Sequence, residues 1–112
     1  MSETLKPFHL LQHEGGKSSL FFMADAFYND PIMDLLVEKS GIEKDYFNGY
    51  AWKRVVELFM TQNFPDHLEE LQFDPEADMF SVIAEDHQLL ENIARGFRQV
   101  LQDKASVERL FS

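Results

Sequence analysis

"LQFDPEADMFSVIA", residues 71–84, reads as two strands joined by a bend, with Pro75 preset for the turn. "LQF" and "MFSVIA" then form the second of two hairpins. The first is built from "PFHLLQH" and "SSLFFMA" around Gly15-Gly16, a pair that supplies the positive φ angles of a tight reversal. Taking residues 71–84 as a hairpin decides the fold class, because the segments between and after the hairpins carry helical spacing.

The segment "YNDPIMDLLVEKSG" predicts a helix capped by Asp30, with Pro31 at its first position and Gly41 at its stop. Ile32, Leu35 and Leu36 give it an inner face. Trp52, Val55, Val56, Phe59 and Met60 recur at i, i+3, i+4, i+7 and i+8, the apolar stripe of a second helix. Phe64-Pro65 breaks that run, and "PDHLEEL" adds a further turn or two. The final helix, about Asp86 to Asp103, places Leu90, Ile93, Ala94, Phe97 and Leu101 on one face. "SVERLF" ends the chain as a short helical turn or a tail. The order is ββααββα, an α+β chain whose expected form is a four-stranded, mainly antiparallel sheet with helices packed on one face. At 112 residues the chain is expected to form a single domain over 1–112. How the two hairpins join is open at this level.

The strands carry an anomaly. In "SSLFFMA", Leu20, Phe22 and Ala24 face one way and Phe21 and Met23 the other. In "MFSVIA", Phe80, Val82 and Ala84 oppose Met79, Ser81 and Ile83. An antiparallel sheet with one wet face should alternate apolar with polar residues, and these strands do not. The far face therefore needs a cover: a loop, a second copy or a partner. Phe21, Met23, Met79 and Ile83 are the residues through which a homodimer would form.

Charge is concentrated as well. The net charge is −10, and from Val55 to Ala94 there is no Lys or Arg among ten acids. Asp66, Glu69 and Glu70 follow Pro65 at a helix start, and Glu85 and Asp86 precede another, so dipole and capping effects account for part of the block. They do not explain the missing bases, since self-repulsion costs stability. Nucleic-acid binding is disfavoured, because phosphate contacts need clustered Lys and Arg. A basic protein partner fits better, with solubility as the rival explanation. The chain has no cysteine, and "MSETLKPF" has no apolar leader core. No run approaches the roughly 18 apolar residues of a membrane span. The expected location is the cytoplasm, with no membrane association.

Chemistry is sparse. The serines sit in no Gly-flanked elbow, and Gly15-Gly16 is too little for a phosphate loop. His9 and His13 on one strand face lie about 13 Å apart along it, too far to share a zinc whose ligands stand about 2 Å from the metal. "DPEAD" lacks the glycine and the final Glu of a calcium loop. Paired carboxylates are unspecific among 20 acids. No cofactor, metal or catalytic residue is implied, and the chain reads as a non-enzyme.

Three stretches taken together, "SLFFMADAFYNDPIMDLLVEKSG", "NGYAW" before an apolar helix and "FDPEADMFSVIAED", resemble the bacterial immunity proteins of polymorphic toxin systems. The family is immunity protein 51, and the resemblance spans roughly Pro7 to Phe111. It implies a protein that binds and neutralises a toxin domain encoded beside it, protecting the producing cell and its siblings. It carries over no catalytic residues and does not fix the toxin's chemistry. Toxins of this kind are often nucleases with basic surfaces, toward which an acidic inhibitor associates quickly.

On that expectation, the electrostatic component of partner binding is Asp74, Glu76 and Asp78 in the hairpin turn, with Glu85 and Asp86 nearby. The aromatic anchors are Tyr46, Phe47 and Tyr50 from "KDYFNGYAW", residues 44–52, whose Trp52 belongs to the core stripe. Sealing the core is the other role open to Tyr46 and Phe47. The alternative function is a small homodimeric regulatory or adaptor domain using the uncovered sheet face.

Overall fold

Both hairpins form, and they meet through their apolar strands. The computed structural model of the chain describes residues 5–112. β1 (His9–Gln12) and β2 (Ser18–Met23) make the first hairpin, with Gly15 at φ 91° and Gly16 at φ 93° in its turn. β3 (Gln72–Phe73) and β4 (Met79–Ala84) make the second. β2 pairs antiparallel with β4 from Ser18↔Ala84 to Met23↔Met79, so the sheet order is β1-β2-β4-β3. The two strands that are apolar on both faces occupy the centre, and the polar or short strands take the edges.

The helices cover one face of this sheet. α1 (Ile32–Ser40) ends at Gly41, whose φ of 74° lets its N–H reach the Val37 carbonyl. α2 (Gly49–Asn63) and α3 (His87–Leu101) lie against β4 and β2. α4 (Lys104–Leu110), a seven-residue helix, stands where a short helical turn or a tail was expected, and Val107 and Leu110 bury themselves against the helical layer. Two 3-10 turns, Lys44–Tyr46 and Pro65–Glu70, precede α2 and β3. The second is the further turn or two expected of "PDHLEEL", in 3-10 form.

At the centre stands Trp52, fully buried. Its Nε1 donates to the Ala24 carbonyl at 3.0 Å. Phe22, Phe47 and Phe97 approach it edge-on, with ring centroids at 5.1, 5.0 and 6.3 Å. Edge-to-face pairs of this kind add about 0.5–1.5 kcal/mol each beyond their buried area. The hydrogen bond matters as much, because an unpaired buried indole N–H is costly. The expected stripes on α2 and α3 are all buried, as are Leu20, Phe22, Phe80, Val82 and Ala84 on the inner sheet face.

Candidate functional site: two acidic clefts and the sheet face between them

The aromatic segment and the acidic turn, distant in sequence, are clamped together. Asn48 caps α2, its Oδ1 accepting from the Ala51 N–H at 3.0 Å. Gly49 then lies directly on the β3–β4 turn, its N–H donating to the Ala77 carbonyl at 3.3 Å. A Cβ on Gly49 would stand 2.0 Å from the Glu76 carbonyl oxygen and 2.2 Å from that of Met79. Glycine is required here for closeness of approach, not for an unusual φ.

This clamp sorts the three anchor candidates. Tyr46, in the 3-10 turn, is 69% exposed, and Tyr50, on the first turn of α2, is 56% exposed. Phe47 is only 5% exposed and packs on Trp52. Of the two roles open to it, sealing the core is the one the geometry provides. Its ring supports the loop from below and has little surface left to offer.

Asp74, Glu76 and Asp78 are exposed on the turn, as are Glu85 and Asp86 at the other end of β4. The five acids thus form two groups. Asp86 also caps α3, its Oδ1 accepting from the Leu89 N–H at 3.1 Å. Glu85 and Asp86 line one cleft, and of the turn acids Asp78 lines another.

The larger cleft, ≈ 550 Å³, lies at the end of the sheet where β3 begins and β4 finishes. Glu69, Glu70, Glu85 and Asp86 line it, with Lys17 the one lysine among them and Ile83 in its wall. Two serines of β2 stand nearby, each held by a histidine. His13 Nε2 is 2.7 Å from Ser19 Oγ and His87 Nδ1 is 3.0 Å from Ser18 Oγ, and both serines are buried. The second cleft, ≈ 370 Å³, is walled by Met23, Tyr28, Phe47 and Met33, with Asp25, Asp45 and Asp78 at its polar positions. The Tyr28 hydroxyl donates to Asp45 Oδ1 at 2.8 Å. That hydrogen bond first, then the charge of Asp45, raises the Tyr28 phenol pKa above its ordinary value. Lys44 holds its ammonium 4.3 Å from the Tyr28 ring centroid, a cation over an aromatic face.

Tyr28, Asp25, Asp45 and Lys44 were not singled out by the sequence reading. The Tyr28–Asp45 pair spans 17 residues across two loops, where no periodicity exists to reveal it. Glu69 and Glu70 had been visible only as helix-start acids.

Between the clefts lies the outer sheet face. Met23 is 45% and Leu11 43% exposed, while Phe21, Met79 and Ile83 are half-buried. His9 stacks on Phe21 with ring centroids 5.1 Å apart, giving that ring partial cover. Among the described residues, no group of three or more His, Asp or Glu side chains is disposed to hold a metal ion. None of the described helices is long and apolar enough to cross a membrane.

A family model, immunity protein 51, matches the chain over residues 8–112. The chain belongs to the immunity protein 51 family. No curated protein and no solved structure matches it.

Proposed function

We propose that this protein neutralises a cognate bacterial toxin domain by binding it, without catalysis of its own. Family membership over nearly the whole chain carries the reading. Supporting it are the exposed acids Asp74, Glu76, Asp78, Glu85 and Asp86, and the exposed rings of Tyr46 and Tyr50. Such a surface fits a basic partner, a nuclease being one class, and it would steer association at low salt. Neutralisation takes place in the cytoplasm of the producing cell, where such a toxin would act.

The test is co-expression with the toxin domain encoded by the adjacent gene, followed by pull-down and a survival assay. Survival with a stable complex is the expected result. Cell death in the presence of the folded protein rules the reading out for that pair. The exposure of Met23 and Leu11 favours a second reading, a homodimeric regulatory or adaptor domain joined through the outer sheet face. Light scattering separates the two, since a strict monomer removes the motive for the second.

A further inference from the structure

The outer sheet face needs an occupant, and its surroundings specify the chemistry of that occupant. Met23 belongs both to the face and to the wall of the smaller cleft, and Ile83 belongs both to the face and to the larger one. Apolar centre and acidic rims are thus one continuous surface. Along β4 the two ends of that surface, Met79 and Ile83, stand about 13 Å apart.

Area decides what can sit there. Four strands of at most six residues give a face of about 20 Å by 20 Å, roughly 400 Å². A standard stable interface needs about 800 Å² from each partner. Contact with the apolar centre alone is therefore too small, and any stable partner must extend over the rims. Those rims hold seven acids and two lysines, Lys17 and Lys44. A second copy of this chain, related by a twofold axis, would present the same patch to itself. Whichever rim it met would be acidic, and like charges across an interface oppose association. Each molecule also brings a net charge of −10.

We infer that the outer face of the sheet is the docking surface for a protein patch with an apolar centre framed by Lys and Arg, and not a homodimer interface. This rests on the toxin-neutralising reading above, under which that patch belongs to the toxin domain. Met23 and Ile83 would lie at the centre of contact. The acids of the two clefts would meet the partner's bases, and Lys44 over Tyr28 shows how the smaller cleft seats a cation.

The test uses the full chain with the toxin domain encoded by the adjacent gene. Methionine oxidation reads the surface directly, because Met23 is exposed whereas Met60 is buried away from both clefts and serves as an internal control. Complex formation should slow Met23 oxidation several-fold and leave Met60 unchanged. Met23→Lys and Ile83→Lys should each weaken binding about tenfold or more. Glu38→Lys, exposed on α1, should not. Affinity should fall as salt rises. A complex that forms with Met23 oxidised at its free rate overturns this assignment and leaves the toxin-neutralising function standing. Protection of Met23 in the isolated protein, together with a dimer mass by light scattering, overturns it in favour of the second copy. No binding of the toxin domain at all removes both inferences. Melting curves of the two variants separate lost contact from lost fold.

Discussion

The two faces of the sheet are made from the same strands and nearly the same residue types, yet they end differently. Leu20, Phe22, Phe80 and Val82 on the inner face are sealed under α2 and α3. Phe21, Met23, Met79 and Ile83, one position along in each strand, stay half-buried or exposed. Composition does not separate these faces. What separates them is that the helices have only one side to pack on once the hairpins have joined β2 to β4. Apolar residues on the uncovered side then add little to folding, and their value lies in what they meet later.

Substitutions can sharpen that contrast. Phe22→Ala should cost about 3–5 kcal/mol by chemical denaturation, as truncations of buried rings do. Phe21→Ala, at the adjacent half-buried position, should cost about 1 kcal/mol, since only part of its area leaves water. Equal losses would mean that the outer face is folded under a cover after all. Gly49→Ala should cost about 3 kcal/mol, because the new Cβ must push the β3–β4 turn away from α2. It should also disturb the smaller cleft, through Phe47, Asn48 and Asp78. Asn48→Ala removes the cap of α2 and should cost about 1 kcal/mol. Met23→Lys should leave stability within about 0.5 kcal/mol, as surface changes do, while impairing partner binding. That dissociation of binding from stability is the strongest mark of an outer face kept for contact.

The smallest effect is a pH dependence. The folded-state pKa of Tyr28 is raised by Asp45. Its contribution is therefore present below the unfolded phenol pKa and lost as pH rises through the folded one. The difference in melting temperature between the protein and Tyr28→Phe should be constant around neutrality and shrink in alkali. An unchanged difference there would show that the hydroxyl–carboxylate bond adds nothing.

Much of this was legible in the residues. The Gly15-Gly16 reversal, the α2 stripe through Trp52 and the doubly apolar strands all came from local spacing, and the structure keeps them. Doubly apolar β2 and β4 in fact marked the two central strands, a signal the sequence reading used for the far face but not for the order. Asn48-Gly49 is a cap followed by a point of contact with Glu76, Ala77 and Met79, a segment distant in sequence. Phe47 could not be assigned for that reason, since its burial depends on where that contact holds the loop. The smaller cleft draws on three separated stretches, and no local pattern in any one of them announces it.

Trp52 has one more consequence. It is the chain's single tryptophan, and it sits in a dry cage of phenylalanines with its indole N–H already satisfied. Its emission should be blue and insensitive to anything that docks on the solvent side of the sheet, yet shift red when the core opens. The molecule thus carries an optical gauge of its own integrity. Any loss of activity in a surface variant can be checked against it in the same cuvette.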